Sequence, residues 1–317
     1  MQKSSDSFIT YTARPKKKYV SQKKELFPNK LPLLAIVLQG PVKTEDDFTI
    51  ETIELYKQNF PQAIIILSTW KDDEKNIDSL DISDNIHLLF HEKPNYYGIS
   101  NTNLQILSSK EGVLKAKNLG AEYVIKTRTD QRFYSTSVDQ YLFNIINNFP
   151  LKSTVKTQKQ RLIGLSLNTF KYRMYGLSDM FLYGHIDDVL LYWNIPLDER
   201  IFEPKDISDG GVSPRTHAEL CIGEVYFASN FLKKINESLK WNLQDSWNMF
   251  ANHFCVIDAQ SLDLFWGKYT AKENRWKKYN KSINVFEELE FSDWYNLYNN
   301  TDRIKPDESI LDLPLHS

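Results

Sequence analysis

Short apolar runs of strand length alternate with segments of helical periodicity along this chain. The first run, residues 33–38, is continuously apolar and closes with Gln39-Gly40-Pro41, which is typical of a fully buried strand in a parallel sheet. A helix is predicted over residues 44–60, because its apolar positions recur at helical spacing until Pro61. Further strands are predicted over residues 63–67 and 86–90. The pattern up to residue 90 therefore indicates a βαβ-type sheet.

The same alternation continues through the rest of the chain. Segment 204–214 contains Gly210-Gly211 and few apolar residues, which predicts a mobile loop over a site. Without an internal repeat, one α/β domain over residues 31–300 is the economical prediction. We expect a Rossmann-related, mostly parallel sheet flanked by helices, with a C-terminal helical extension and a tail over residues 301–317. The remaining predicted helices cover residues 103–119, 141–148, 186–193 and 218–235, and the remaining strands cover residues 123–127, 162–167, 180–183 and 254–257.

Composition excludes several classes of protein. The chain has 317 residues, 41% hydrophobic and 25% charged, as expected for a globular protein with a substantial core. Its net charge of −2 gives no support to nucleic-acid binding. Two cysteines, Cys221 and Cys255, lie in apolar contexts and predict free, buried thiols. No apolar run is long enough to span a membrane and no signal sequence is evident, so we expect a cytoplasmic protein.

A basic arm precedes the first predicted strand. Residues 1–30 contain Arg14-Pro15-Lys16-Lys17-Lys18, followed by Lys23 and Lys24. The simplest interpretation is a flexible, solvated tail. The alternative is weak electrostatic contact with an anionic membrane surface, to which each basic residue contributes about 1 kcal/mol. Such a patch binds only reversibly when it has no acyl chain, so a peripheral position at the inner membrane face stays an expectation.

The strongest candidate for a functional site follows the strand predicted at residues 123–127. Arg128, Asp130 and Arg132 place one carboxylate between two guanidiniums at the end of that strand. Ligands bind beyond the carboxyl ends of strands in open α/β sheets. A carboxylate there can hold a divalent cation, and arginines can contact phosphate oxygens bidentately. The cluster therefore favours a nucleotide diphosphate, although a solvated surface cluster is an open alternative.

Several blocks of sequence together resemble the WavE lipopolysaccharide-synthesis family of bacterial surface-glycan proteins. The resemblance covers residues 33–298. It implies a GT-A-like glycosyltransferase that takes a nucleotide-sugar donor and a glycan or lipid-linked glycan acceptor. The blocks are Leu38-Gln39-Gly40-Pro41-Val42, Ser68-Thr69-Trp70, Lys126 to Arg132, Ser166 to Tyr172, Gly176 to Phe181 and Leu262 to Trp266.

The resemblance also suggests roles for residues on the donor side. An acidic motif, normally Asp-x-Asp, grips a metal or diphosphate in such enzymes. Here Arg128-Thr129-Asp130 has one carboxylate, so a divalent Mn or Mg ion is possible, and whether it is required stays open. Trp70 could stack on the base, or could equally be a core residue. The full set expected to contact the donor is Gln39, Gly40, Pro41, Thr69, Trp70, Asn103, Lys126, Arg128, Asp130 and Arg132.

Polar residues later in the chain are candidates for the acceptor side and for catalysis. An inverting transferase needs a general base near the acceptor hydroxyl. Glu219, predicted near the start of a helix, and Asp179 are the two candidates for this base. His253 could complete a metal shell with Asp130, although a lone histidine is more often structural. Residues expected to hold the sugars are Asn168, Lys171, Tyr172, Arg173 and Ser178.

Two other functions stay open at this point. A sugar nucleotidyltransferase would usually carry a glycine-rich, basic phosphate loop after the first strand. The segment Leu38–Val42 has a single glycine and no lysine, which argues against that reaction. A non-catalytic glycan-binding or scaffold subunit would use the lone Asp130 as the remnant of a degenerate site.

Overall fold

The protein is an α/β structure built around one central sheet. The computed structural model describes Lys16 and residues 31–80, 82, 85–152, 157–201, 213–266 and 285–313. The strands are β1 (Leu34–Gln39), β2 (Ile64–Trp70), β3 (Ile86–His91), β4 (Tyr123–Arg128), β5 (Gln131–Phe133), β6 (Leu162–Leu165), β7 (Leu182–His185), β8 (Phe254–Ile257) and β9 (Leu264–Trp266). The helices are α1 (Phe48–Asn59), α2 (Thr102–Asn118), α3 (Val138–Asn148), α4 (Ile186–Trp193), α5 (Pro214–Glu219), α6 (Glu224–Lys234), α7 (Leu243–His253) and α8 (Phe291–Asn300).

The central sheet has seven strands in the order β3-β2-β1-β4-β7-β6-β8. Strands β3, β2, β1 and β4 are parallel, β7 is antiparallel to both of its neighbours, and β6 is parallel to β8. Every strand of this central sheet except β7 therefore points the same way. We call the side of the sheet where those strands end the carboxyl edge and the opposite side the amino edge. The predicted mostly parallel sheet with flanking helices and a C-terminal helix is confirmed.

Burial on both faces explains the continuous apolar runs of the central strands. All residues of β1 and β2 are buried. Helix α2 covers β1 closely because Gly112 has no side chain. A Cβ built at Gly112 would lie 2.4 Å from Cγ1 of Val37. Helix α4 packs beside α2, so these two helices form the layer that covers the strands around β4.

Two predictions of helical structure need correction. The predicted single helix over residues 218–235 is two helices, since α5 ends at Glu219 and α6 begins at Glu224. The break follows from positive φ angles of 46° at Cys221 and 53° at Gly223, which a helix does not tolerate. Helix α7 was not predicted. Of the loop predicted over residues 204–214, residues 204–212 lie outside the described residues.

The segment predicted as a C-terminal tail packs against the domain as far as residue 313. Leu311 is fully buried, and Ile310 is 6% exposed. The Glu308 carboxylate accepts hydrogen bonds from the backbone N–H groups of Leu243 and Gln244 and so caps α7. Apart from Lys16, the predicted basic arm lies outside the described residues. Both cysteines are free thiols, as predicted, with Cys255 buried and Cys221 half-buried. No described helix has the length and apolar character to cross a membrane.

Candidate functional site

Thr129 joins the loops that follow β1 and β4 at the carboxyl edge. Its backbone N–H donates to the Gln39 carbonyl at 3.1 Å, and its hydroxyl donates to the Pro41 carbonyl at 2.6 Å. Gly40 has a φ of 111°, and a Cβ there would lie 3.2 Å from the Thr129 hydroxyl. The predicted donor residues Gln39, Gly40 and Pro41 therefore lie directly beside the turn that carries Asp130.

An unpredicted aspartate, Asp73, fixes the neighbouring loop. Its carboxylate accepts hydrogen bonds from the Thr69 hydroxyl at 2.5 Å and from the Val42 backbone N–H at 3.2 Å. Asp73 thereby ties the end of β2 to the loop after β1. Trp70 is only 3% exposed and meets the His91 ring edge-on, so it belongs to the core and presents no free face to a base. That correction removes Trp70 from the predicted stacking role.

Asp130 is held in place from both sides. Arg128 donates to it bidentately, with Nε–Oδ1 and Nη2–Oδ2 distances of 2.8 and 2.9 Å, and the Trp266 indole donates at 3.1 Å. Burial raises the pKa of Asp130, but hydrogen bonds from Arg128 and Trp266 and the Arg128 charge outweigh it, leaving the pKa below its ordinary value. The side chains of Arg128 and Asp130 keep 23% and 21% of their surface exposed. This ionised pair is accessible to a ligand.

Arg132 does not reach this accessible pair. It is 1% exposed and donates to the Thr52 hydroxyl at 2.8 Å and to the Phe48 carbonyl at 2.8 Å. Its guanidinium also lies 4.4 Å from the centre of the Phe48 ring. Arg132 thus anchors α1 to β5, which corrects its predicted contact with a diphosphate.

Lys126 is a fully buried lysine on β4. Its ammonium donates to the backbone carbonyl of Asp179 at 2.5 Å and lies 4.6 Å from the ring centre of Trp193. Burial lowers the pKa of Lys126 to about 7, and the charges of Asp179 and Arg128 act on it in opposite directions. Lys126 therefore connects the Arg128–Asp130 pair with the segment that contains Asp179.

A second polar cluster surrounds Arg173. Its guanidinium is 2.9 Å from the Glu224 carboxylate and donates to the backbone carbonyl of Asn168 at 3.2 Å. The Asn168 side-chain amide also donates to Glu224. Asp179, only 5% exposed, lies within electrostatic reach of both Lys126 and Glu224. Sequence patterns predicted Asn168, Arg173 and Asp179 but missed Glu224, which falls in the middle of what was predicted to be one helix.

Two predicted sugar-binding residues face the C-terminal part of the chain instead. The Lys171 ammonium pairs with Glu287 at 2.5 Å and with Asp293 at 3.1 Å. Tyr172 lies in the field of the same two carboxylates, which, after burial, raise the pKa of its phenol. The ion pair with Asp293 secures α8, so we assign Lys171 a structural role.

Ser178, Glu219 and Asn103 lie in three different settings. Ser178 is fully buried next to Asp179. Glu219 is exposed as the last residue of α5, so it is at the end of a helix and not at the start. Asn103 donates to the Asp198 carbonyl at 2.9 Å and accepts from the Asp198 N–H at 2.6 Å. Its amide is therefore committed to holding two loops together.

His253 cannot share a cation with Asp130. It immediately precedes β8 and so lies at the amino edge, whereas Asp130 follows the carboxyl end of β4. His253 is fully buried, with Nδ1 2.8 Å from Gln158 and Nε2 3.1 Å from Glu237. Within the described residues, no group of three or more His, Cys, Asp or Glu side chains could hold a metal ion. A single carboxylate already paired with Arg128 does not fit a resident cation.

Comparison with known proteins decides the family. The profile described as WavE lipopolysaccharide synthesis matches residues 34–313. The chain belongs to the WavE family. No curated protein matches this WavE chain significantly.

Two solved structures show distant likeness to the WavE chain. Mannose-1-phosphate geranyltransferase from Thermus thermophilus has 14% identity and a TM-score of 0.28, over 42% of this chain and 40% of that one. A candidate glucose-1-phosphate thymidylyltransferase from Bacillus anthracis, solved with sucrose, has 8% identity and a TM-score of 0.33, over 52% of this chain and 76% of that one. Likeness at these TM-scores does not bear on the activity of the WavE protein.

Proposed function

We propose that this WavE protein is a GT-A-like glycosyltransferase that moves a sugar from a nucleotide-sugar donor to a growing bacterial surface glycan, lipopolysaccharide or capsule. The family description supports the place in lipopolysaccharide synthesis. The observation that carries the proposed reaction is the turn of Arg128 and Asp130, which Thr129 binds to the loop Gln39–Pro41 at the carboxyl edge. Ligands of open α/β sheets bind at this position.

Arg128 supplies the positive charge that the reaction needs. Cleaving the sugar–phosphate bond builds negative charge on the departing phosphate, and a positioned guanidinium stabilises that charge. Asp130, itself held by Trp266, keeps the Arg128 guanidinium in a fixed orientation. A divalent cation would have to displace Arg128 from Asp130. Whether Mn or Mg assists is therefore part of the test.

The acceptor is proposed to bind on the other side of Lys126. Asn168, Arg173 and Asp179 meet there, and Asp179 is a candidate for the general base. Glu219 is the weaker candidate because it lies exposed at the end of α5. A glycan or lipid-linked glycan acceptor would be met in the cytoplasm or at the inner membrane face.

Nucleotide binding gives the direct test. The purified protein is heated with UDP, GDP, CMP or ADP, each with and without Mn²⁺, beside the variants Asp130→Asn and Arg128→Lys. A nucleotide at a hundred times its Kd should add about 2.7 kcal/mol to the free energy of unfolding. We expect selective stabilisation by one nucleotide. Arg128→Lys should weaken it because lysine cannot form the bidentate contacts.

Asp187→Asn is the matched control for the nucleotide test. Asp187 also lies in a lysine ion-pair network, with Lys117 at 2.7 Å and Lys159 at 2.6 Å, but at the amino edge. Its removal should lower the melting temperature without changing the nucleotide-dependent increment. Absence of stabilisation by every nucleotide would refute the proposal and favour a non-catalytic glycan-binding subunit.

A further inference from the structure

Buried hydroxyl groups without partners lie beside the second polar cluster. The Tyr192 hydroxyl and the Ser178 hydroxyl belong to fully buried residues. Among the residues that the structure describes, neither hydroxyl has a hydrogen-bond partner. Leaving such a group unpaired costs about 1–3 kcal/mol. An unpaired buried group in a native structure calls for an explanation, and a bound polar ligand is one that fits a site.

The charges of two carboxylates act on the Tyr192 phenol. Burial raises the pKa of the Tyr192 phenol, and the charges of Asp179 and Glu224 raise it further. The phenol on α4 therefore lies within the electrostatic field of both acids. The Nδ1 of His217 is also buried and has no hydrogen-bond partner among the described residues. Burial, with the Arg173 charge, lowers the pKa of His217 to about 3, so its imidazole is neutral.

Glu224 is the member of this cluster that a ligand can reach. Its side chain is 17% exposed, whereas Asp179 is 5% exposed. Asn168 and Arg173 fix the orientation of the Glu224 carboxylate. Burial raises the pKa of Glu224, Arg173 opposes the rise, and the neighbouring Asp179 adds to it. A carboxylate of raised basicity is suited to accept a proton from a hydroxyl.

We propose that Glu224, Asp179 and Tyr192 form the subsite for the hydroxyl groups of the acceptor sugar, with Glu224 as the general base. This inference rests on the proposed function. A polyhydroxylated ligand would pair the Tyr192 and Ser178 hydroxyls, and its reacting hydroxyl would donate to Glu224. That proton passes to Glu224 as the hydroxyl oxygen bonds to the anomeric carbon of the donor. The sugar–phosphate bond breaks in the same step, and its electron pair leaves with the nucleotide.

Sugar binding tests the subsite independently of turnover. Methyl hexosides and the oligosaccharide released by mild acid from bacterial lipopolysaccharide are titrated by NMR, with saturating nucleotide present. Glu224→Gln and Tyr192→Phe should each weaken sugar binding at least about tenfold, because the first replaces a charged acceptor with a neutral amide and the second removes a hydroxyl. Tyr192→Phe should leave the melting temperature unchanged or raise it, since the hydroxyl that it removes is unpaired. Tyr192→Phe therefore keeps the subsite testable if Glu224→Gln does not fold.

Matched controls come from the amino edge. Glu237→Gln replaces another glutamate whose pKa burial raises, and Tyr123→Phe removes a hydroxyl that is bound to Gln160 at 2.7 Å. Neither should change sugar affinity. Release of nucleotide from the matching nucleotide-sugar should fall by about 10²–10⁴-fold in Glu224→Gln, with nucleotide stabilisation intact.

The outcomes separate this inference from the function that it rests on. Nucleotide stabilisation without sugar binding by the wild type, or equal sugar binding by the wild type and Glu224→Gln, overturns the subsite alone. Undiminished turnover in Glu224→Gln overturns its role as base. Failure of every nucleotide to bind overturns the proposed function itself. The sugar titration tests whether the subsite exists, whether or not the protein turns over a donor.

Discussion

For some residues of the site the sequence alone predicts the neighbouring side chains, and for others it does not. Asp130 follows an apolar strand, and its main partner is Arg128, so its accessible position at the carboxyl edge is predictable locally. Arg132 lies only two residues further on, yet it is buried because its partners Thr52 and Phe48 come from α1. Glu224 likewise depends on Asn168, which is 56 residues away. Partners distant in the sequence determine the roles of Arg132 and Glu224, and the local sequence pattern does not indicate those partners.

The buried Lys126 should make stability depend on pH. Its pKa is about 7 in the folded protein, against an ordinary value of 10.5. Between those values the unfolded chain binds the extra proton, so raising the pH favours the folded state. Relative to Lys126→Met, the free energy of unfolding of the wild type should rise by about 2 kcal/mol from pH 7 to pH 9. Urea titrations of both proteins at a series of pH values measure this difference. A constant difference would show that Lys126 is protonated throughout.

The presence of a helix or strand was easier to predict from the sequence than its end residues or its pairing with other strands. The apolar runs predicted the seven strands of the main sheet, and the runs are longest in β1 and β2, where every residue is buried. The small sheet of β5 and β9 was missed, since each strand has three residues and the two pair across more than a hundred residues of chain. Helix α7 was missed as well. Some of its polar residues form hydrogen bonds inside the protein, such as the one that Asp245 accepts from the Tyr175 hydroxyl.

A substitution at Gly112 should show that close packing against β1 fixes the position of α2. Replacing glycine with alanine inside a helix usually stabilises it by up to about 1 kcal/mol. At Gly112 the added methyl would lie 2.4 Å from Val37 and 3.2 Å from Ser68. We expect Gly112→Ala to lower the free energy of unfolding by about 1–3 kcal/mol.

The exposed Asn118 near the end of the same helix supplies the comparison for Gly112. Asn118→Ala should change the free energy of unfolding by no more than about 0.5 kcal/mol. Chemical denaturation of both variants measures the two effects. A gain in stability for Gly112→Ala would mean that α2 can move away from β1.

At the scale of the molecule, Ile310 and Leu311, near the end of the described chain, are part of the core. Leu311 is fully buried, whereas Leu313, two residues later, is 39% exposed. Leu311→Ala should destabilise the protein by about 2–5 kcal/mol through loss of buried surface and a cavity. Leu313→Ala should cost less than about 0.5 kcal/mol. Equal melting temperatures for the two variants would contradict the packing of this segment.

The mostly parallel sheet with flanking helices was predictable from the sequence, but this final segment was predicted as a tail. Its short helical turn, Glu308–Asp312, lacks the repeated apolar periodicity of a longer helix. Its partners on α5 and α7 are remote in sequence. Only the assembled molecule brings them together.

The strand order carries a consequence for the newly made chain. Strands β3, β2, β1 and β4 are neighbours in space and occupy one continuous stretch, residues 34–128. Strand β8, which completes the sheet, begins only at Phe254. At about 5–20 residues per second, a ribosome needs roughly 6–25 s to add the intervening residues. The half of the sheet that bears the Asp130 turn can therefore assemble during synthesis. Until β7 is made, the hydrogen-bonding edge of β4 that β7 will occupy stays unpaired, and an unpaired strand edge can pair with another chain.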